Sequence, residues 1–228
     1  MRPPALEPSP ESGARAAGGP SAPSEGAGAI APVTWRWLGR SAYREVLAEQ
    51  LATREQVWAG APGVVLLCEH PPVITLGRSA TPAHILDAGD VPVERIERGG
   101  EVTYHGPGQL MIYPVVRLRR VVAFLEAVAG AIAETCAVFG VPGAAWQRDP
   151  AGIWLDGHKL AACGIHVARG VSVHGFALNV DTPPSAWRAI RPCGLSVPQI
   201  SLVRARGAAI SVEDVARELG PRVAQAVS

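Results

Sequence analysis

The sequence predicts an α+β fold, in which helices are interspersed with strands that pair mainly through hairpins. The helical evidence is a long stretch from about residue 119 to 139, whose apolar residues recur at helical spacing. The hairpin evidence is a series of extended segments between residues 152 and 180, with turn-forming pairs at 156–157 and 169–170. Long helices between antiparallel hairpins favour this class over a regular βαβ winding.

The remaining elements follow in order along the chain. Residues 33–38 alternate in polarity and predict a first strand, and Ser41 is a suitable N-cap for the helix after it. Ser211, with Asp214 three residues later, predicts a capped final helix through Leu219. The other predicted strands are residues 63–67, 73–76, 110–116, 152–155, 159–168 and 171–180.

One folded domain is expected behind a disordered tail. Residues 1–30 are mostly Pro, Ala, Gly, Ser and Glu, and such a segment buries too little apolar surface to offset its ordering entropy. The whole chain is 48% hydrophobic and 18% charged, which is ordinary for a globular protein with a real core. We therefore expect a single domain over residues 31–228.

Charge and cysteine usage argue against several classes of function. The formal net charge is +1 and the arginines are scattered, which argues against a nucleic-acid partner. No run approaches the roughly 18 apolar residues of a membrane span, and no secretory signal is visible, so no membrane partner is predicted. The four cysteines have neither disulfide nor zinc spacing. Reduced thiols in the cytoplasm, without a bound metal, are the simpler interpretation.

The first segment whose composition indicates more than packing is RGGEVTYHGPGQ, residues 98–109. Its four glycines are mixed with Arg, Glu, Tyr and His. A glycine backbone can approach a ligand closely and present its N–H groups. The alternative is a turn between strands, since Gly-rich loops are common. Composition alone leaves both interpretations open.

The second segment is DGHKLAACGIH, residues 156–166, because Lys159 opens a run that is otherwise small and apolar. Of the 21 lysine and arginine residues in the chain, only Lys159 is a lysine. An amine can give up its proton near neutral pH, especially when burial lowers its pKa, whereas a guanidinium cannot. Lys159 is therefore a candidate for proton transfer, and a surface lysine just past a turn is the alternative.

The third segment is RPCGL, residues 191–195, where Cys193 lies between a proline and a glycine. Cys68, Cys136 and Cys163 lie in strands or on a helix stripe, where a free cysteine usually serves as a small buried hydrophobe. A cysteine in a Pro–Gly loop is a better candidate for a reactive thiol, provided that a base lies beside it. Lys159 is the candidate base, although the sequence does not show that the two meet.

For the histidines, the sequence does not separate structural from functional roles. His105 and His174 lie in Gly-containing segments and are candidates either to line a site or to form structural hydrogen bonds. His70, which precedes two prolines, is interpreted as a turn residue.

Five motifs taken together resemble the lipoyl(octanoyl) transferase family. They are EHPPVITLGR at 69–78, RGGEVTYHGPGQ at 98–109, GHKLAACG at 157–164, HGFALNV at 174–180 and PCGL at 192–195. Their order and approximate spacing match the family from about residue 35 to 205. PCG alone is worthless as a signal, but the combination is highly specific.

The resemblance implies an α+β domain with a mixed sheet, as in biotin and lipoate protein ligases. By the same resemblance, Cys193 is the acyl-thioester nucleophile, and Lys159 lowers its pKa and acts as acid and base. Cys163 stands where the family usually has another residue, which raises the possibility of a second thiol near the site. The residues implied to enclose the acyl chain and thioester are Arg98, Gly99, Gly100, Glu101, Val102, Thr103, Tyr104, His105, Ala162, Cys163, Gly164, Gly175, Phe176 and Ala177.

The activity implied by the resemblance is octanoyl transfer, the first step of endogenous protein lipoylation. Octanoyl-acyl carrier protein is the donor. The acceptors are lipoyl domains of 2-oxoacid dehydrogenase E2 subunits and the glycine cleavage H protein. Transfer from one thioester to another and then to an amide is downhill overall, so no cofactor, ATP or metal is implied.

Two rival functions remain open from the sequence. An ATP-dependent lipoate or biotin ligase shares the fold but needs no nucleophilic cysteine, and the GRGR-type loop of biotin ligases is absent at residues 77–80. A non-catalytic module that binds acyl groups or carrier proteins would tolerate loss of Cys193 and Lys159, so the joint presence of these residues favours the transferase.

Overall fold

The computed structural model describes residues 31–190 and 197–228, together with Met1. Two predictions therefore lie outside the described residues. The first is the disordered tail over residues 1–30, Met1 excepted, and the second is the place of Cys193 in its loop.

The described part of the chain alternates strands with helices. In order, the elements are β1 (Thr34–Arg40), α1 (Tyr43–Trp58), β2 (Val64–Glu69), β3 (Val73–Leu76), β4 (Val93–Arg95), β5 (Val102–His105), β6 (Gln109–Val115), α2 (Val121–Val138), β7 (Ala145–Arg148), β8 (Ala151–Leu155), β9 (His158–Ala168), β10 (Val171–Asn179), α3 (Leu202–Arg206) and α4 (Val212–Ala226). Short 3₁₀ turns occupy Pro82–His84 and Pro184–Trp187.

The strands form two sheets. The larger sheet has the order β1-β2-β6-β10-β9-β8-β7, in which β1 and β2 are parallel and the other neighbours are antiparallel. The smaller sheet has the order β4-β3-β5 and is also mixed. The prediction of an α+β fold with a mixed sheet is confirmed.

Successive residues of the central strands point to two different cores, because side chains alternate across a sheet. Leu67 and Ile112 pack with apolar residues of α2 and α4, whereas Leu66 and Tyr113 pack with Val46 of α1. Helices α2 and α4 therefore cover one face of the seven-stranded sheet and α1 covers the other.

Helix α2 corrects one expectation from the sequence. By length and composition it is apolar enough to cross a bilayer, so the statement that no stretch approaches a membrane span is wrong. Its residues Phe124, Val128 and Ile132 pack into the same core as Val215 and Leu219 of α4. These contacts make α2 a core helix of this fold.

The two predicted helix starts had different outcomes. Ser211 caps α4 as predicted, because its side chain accepts a hydrogen bond from the Asp214 N–H. Ser41 does not cap α1, since its hydroxyl donates to the Leu38 carbonyl at 2.8 Å and Ala42 precedes the helix.

Helix α4 also runs past its predicted end at Leu219, through Gly220 and Pro221, to Ala226. Proline normally ends a helix because it has no N–H. Here Val223 and Ala224 lie in the core, and this tertiary packing outweighs the local breaker signal.

Candidate functional site

A pocket with about 690 Å³ of empty space, part of which is open solvent, lies on the α1 face of the seven-stranded sheet. Residues of β6, β9 and β10 line it, together with α1 and β5 of the smaller sheet. The loop that begins at Arg98 and leads into β5 completes this lining. The pocket therefore lies where the two sheets and α1 meet.

Most residues that the sequence singled out come together in this pocket. Two of the residues that the sequence singled out, Gly99 and Tyr104, are not among the residues that line the pocket. The Gly99 N–H donates to the Ile165 carbonyl at 3.0 Å, and Tyr104 packs in a separate cluster with Ile74 and Ile190. The predicted residues that line the pocket are Lys159, Arg98, Gly100, Glu101, Val102, Thr103, His105, Ala162, Cys163, Gly164, Gly175, Phe176 and Ala177.

Seven further residues line the pocket without having been assigned to it from the sequence. His174 had been considered for a site but not assigned. Met111 and Tyr113 belong to an apolar strand and carry no local signal beyond packing. The seven residues are Tyr43, Met111, Tyr113, Ala151, His174, Trp187 and Gln199.

The floor of the pocket follows from the strand register. Ala162 on β9 pairs with Ala177 on β10, which pairs with Met111 on β6, so two small side chains lead to a large one. In the next row Gly164 pairs with Gly175. A Cβ on Gly164 would lie 2.9 Å from the Gly99 carbonyl oxygen, and a Cβ on Gly175 would overlap the Ile112 carbonyl. Glycine is required at both positions by these close approaches.

Lys159 is buried in the pocket wall, with 4% of its surface exposed. Its Nζ donates to the Ala151 carbonyl at 3.2 Å and lies 4.9 Å from the centre of the Trp154 ring. Its backbone N–H donates to the Pro198 carbonyl, and its carbonyl accepts from the Ile200 N–H. Of the two positions that the sequence allowed, the structure shows the buried one.

Cys163 is poorly suited to be the nucleophile. Its side chain packs against the core that α2 and α4 share, on the far side of the sheet from α1. Burial raises the pKa of the Cys163 thiol to about 12, and the charge of Lys159 offsets this only in part. Because the thiolate is the reactive form, Cys163 is largely inert near neutral pH.

Aromatic and imidazole rings gather at the end of the pocket beside β6 and α1. The rings of Tyr43 and His105 stack with centroids 6.3 Å apart, and Tyr43 also meets His70 edge-on. His70 lies in the connection between β2 and β3, where a turn residue was predicted, and its side chain also contacts other elements. It is buried, its Nδ1 lies 2.7 Å from the Ser41 carbonyl oxygen, and its Nε2 lies 3.0 Å from the Tyr113 hydroxyl.

A proline explains why His174 turns into this end of the pocket. If the β6–β10 register continued past Phe176–Ile112, His174 would lie opposite Pro114, which has no N–H to donate. The His174 N–H instead donates to the Gln50 side-chain oxygen on α1 at 2.7 Å. His174 adopts a left-handed backbone conformation, with φ of 60°, at this interruption of the ladder.

Burial of the histidines makes the fold sensitive to acid. Burial lowers the pKa of both His105 and His174 to about 3, so the folded protein keeps them neutral where the unfolded chain binds protons. Stability should therefore fall as the pH drops below about 6.5, by about 4 kcal/mol by pH 5 for the two residues together. Urea unfolding at pH 7.5, 6 and 5 measures this loss.

Two variants separate this effect from general acid denaturation. His174→Asn should reduce the loss by about half, since asparagine tolerates a positive φ and does not titrate in this range. His158→Gln, at an exposed histidine, should leave the loss unchanged. Equal losses in all three proteins would contradict the assignment to buried histidines.

No metal ligands are apparent in the part of the chain that the structure describes. Among residues 31–190 and 197–228, no three His, Cys, Asp or Glu side chains form a group that could hold a metal ion. The pocket instead offers an apolar floor, neutral imidazoles and one buried amine, which suits binding of an apolar chain and proton transfer beside it.

The sheet topology and the position of the pocket define a catalytic domain of the biotin and lipoate protein ligase fold. The structure of lipoate-protein ligase A bound with ATP superimposes with a TM-score of 0.69, covering 86% of this chain and 85% of that one at 13% identity. The biotin protein ligase of Aquifex aeolicus in complex with biotin and ATP gives 0.51 at 12% identity, over 85% and 70%. Identities this low show the fold alone.

The chain belongs to the lipoyl protein ligase A/B catalytic domain family, whose model matches residues 41–223. An octanoyltransferase of Halorhodospira halophila is 36% identical over 203 residues, which are 87% of this chain and 93% of that one. An octanoyltransferase of Gloeobacter violaceus is 43% identical over 177 residues, which are 75% and 74% of the two chains.

Proposed function

We propose that this chain takes an octanoyl group from octanoyl-acyl carrier protein onto Cys193 as a thioester and passes it to the lysine of a lipoyl domain. Octanoyl transfer in protein lipoylation, with lipoyl-domain acceptors, is the activity of this enzyme, in keeping with relatives that are octanoyltransferases. Beyond this activity, we propose octanoyl-acyl carrier protein as the donor and a thioester on Cys193 as the intermediate. The proposed acceptors are the lipoyl domains of 2-oxoacid dehydrogenase E2 subunits and the glycine cleavage H protein. We place the reaction in the cytoplasm.

The observation that carries the proposal is the burial of Lys159 in the wall of an apolar pocket. Lys159 lies there beside the segment that follows RPCGL, residues 191–195, which is called the Cys193 motif below. Gln199 of that segment lines the pocket, and Pro198 and Ile200 bond to the Lys159 backbone. On the other side of the motif, Ile190 packs in a cluster with Trp187, which also lines the pocket.

Chain geometry supports placing Cys193 at this pocket. In the sequence, Cys193 is three residues after Ile190, which packs with the pocket residue Trp187, and six residues before the pocket residue Gln199. Among the described residues that line the pocket, Cys163 carries a thiol, and its raised pKa argues against it as the nucleophile.

The proposed chemistry proceeds in two balanced steps. Lys159 accepts the proton of the Cys193 thiol, the thiolate attacks the donor thioester, and the carrier thiolate leaves with the proton that Lys159 returns. The acceptor lysine amine then attacks the enzyme thioester. A C–N bond forms, the C–S bond breaks, and the amine proton passes through Lys159 to the released Cys193. Backbone N–H groups near Gly164 are candidates to stabilise the tetrahedral oxyanion.

The test is intact-protein mass spectrometry of the enzyme mixed with octanoyl-acyl carrier protein. We expect a single octanoyl adduct that persists in Cys163→Ser, is absent in Cys193→Ser, and disappears when a lipoyl domain is added. An adduct that forms in Cys193→Ser, or turnover without any adduct, would overturn the thioester on Cys193.

The same preparation tests the rival ligase. Free octanoate with ATP, in place of the carrier-protein thioester, should give no octanoylated lipoyl domain. Product formation from free octanoate would instead favour an ATP-dependent ligase on this fold.

A further inference from the structure

A directed chain of buried hydrogen bonds begins at Arg98. Its guanidinium, which has only donors, contributes two bonds to the Thr75 hydroxyl oxygen at 3.2 and 2.9 Å. The Thr75 hydroxyl proton is then directed to His105 Nε2 at 3.3 Å. In a neutral imidazole the proton therefore resides on Nδ1, which donates to Gln109 Oε1 at 2.8 Å.

The chain continues from Gln109 to the segment after the Cys193 motif. Gln109 Nε2 donates to Asn179 Oδ1 at 3.0 Å, and Asn179 Nδ2 donates to the Ile200 carbonyl at 3.2 Å. The Ile200 N–H donates to the Lys159 carbonyl at 3.1 Å, and the Lys159 N–H donates to the Pro198 carbonyl at 2.8 Å. Every side-chain donor therefore points the same way, from the Arg98 loop towards the Lys159 strand.

We propose that Gln109 and Asn179 are positioning residues. They hold the Pro198–Ile200 segment against Lys159, and so fix the point at which the chain that follows Cys193 returns to the catalytic lysine. The inference rests on the proposed function, because this position matters only if Cys193 and Lys159 act together. It adds to that function two residues that line no part of the pocket.

The burial of the two amides supports a specific role over general packing. Gln109 has 1% and Asn179 has 2% of its surface exposed. Buried amides are costly unless they are hydrogen-bonded, and an apolar pair would join β6 to β10 equally well. Only Asn179 supplies a side-chain donor to the Ile200 carbonyl among the hydrogen bonds of the described residues.

The experiment compares amide hydrogen exchange and octanoyl transfer in the full chain and two variants. Asn179→Asp keeps an acceptor for Gln109 but its carboxylate cannot donate to Ile200, and Asn179→Ala removes both bonds without adding a charge. We expect the Ile200 and Lys159 amides to exchange about tenfold faster, as loss of one buried hydrogen bond predicts. The kcat should fall about tenfold while the KM for octanoyl-acyl carrier protein stays constant.

Gln50→Glu is the matched control, since Gln50 is an equally buried amide outside the chain of bonds. It should leave exchange at Ile200 and Lys159 unchanged. Wild-type exchange at both amides in both Asn179 variants would overturn the inference, and so would faster exchange with unchanged kcat. If the wild-type enzyme transfers no octanoyl group, the proposed function fails, while the exchange rates still decide whether Asn179 holds the segment.

Discussion

Replacing Lys159 by arginine is expected to lower octanoyl transfer by about 10² to 10⁴-fold, the range that general acid–base catalysis contributes. Arginine keeps a positive charge and a long side chain but does not release its proton near neutral pH. The amine of Lys159 is buried beside the Ala151 carbonyl and the Trp154 ring. Because the amine is buried, we expect that a base in the solvent does not take over its proton transfer. Single-turnover rates of both half-reactions, for the formation and for the discharge of the octanoyl adduct, measure the loss.

A neighbouring position supplies the control for a new guanidinium on β9. His158→Arg introduces the same group at an exposed residue one position away, and we expect wild-type rates. Retention of more than about a tenth of the wild-type rate by Lys159→Arg would show that the lysine contributes charge or packing rather than proton transfer.

The sequence predicted the part of the site that has unusual composition. Glycines beside charged residues, a single lysine at the head of a small apolar run, and turn pairs at fixed positions all have local physical causes. The hairpin of β9 and β10 is confirmed, and the Gly99 N–H of the Arg98 loop donates to the Ile165 carbonyl of β9. Strand β5 within that loop was not predicted, because its pairing with β3 is a tertiary contact.

The end of the pocket beside β6 and α1 was not predictable in the same way. Tyr43 and Met111 occur in ordinary apolar patterns, and only the meeting of α1 with β6 makes them part of a site. The turn of His174 depends on Pro114, which lies 60 positions earlier and on another strand. Such pairings across the sheet leave no trace in a single sequence without its register.

The sequence interpreted Cys163 as a small buried hydrophobe but left open a second thiol near the site. Its place four residues after Lys159 on β9 would fit activation, but its side chain packs against the core of α2 and α4. Desolvation there raises the pKa of the thiol more than the lysine charge lowers it. The face of the strand, rather than the distance along the chain, decides which cysteine can react.

The second prediction with a large expected effect concerns acyl length, and it follows from the floor of the pocket. From Ala162 on β9 through Ala177 on β10 to Met111 on β6, the row crosses two strand spacings, or about 10 Å, which is close to the length of an extended eight-carbon chain. Ala177→Leu fills the middle of this row. We expect about a hundredfold slower octanoyl transfer, by the upper cost of overpacking, with a smaller effect on butanoyl transfer.

Met111→Ala should have the opposite effect, because it removes the large side chain at the end of the same row. Two more buried methylenes are worth about 1.6 kcal/mol, so the ratio of decanoyl to octanoyl transfer should rise about tenfold. Competition between the two carrier-protein thioesters, read by mass spectrometry of the lipoyl domain, measures this ratio. Leu110→Ala removes a similar volume from the opposite core and should destabilise the fold without changing the ratio. An unchanged ratio in Met111→Ala would mean that the acyl chain leaves the sheet before β6, and that Met111 does not limit its length.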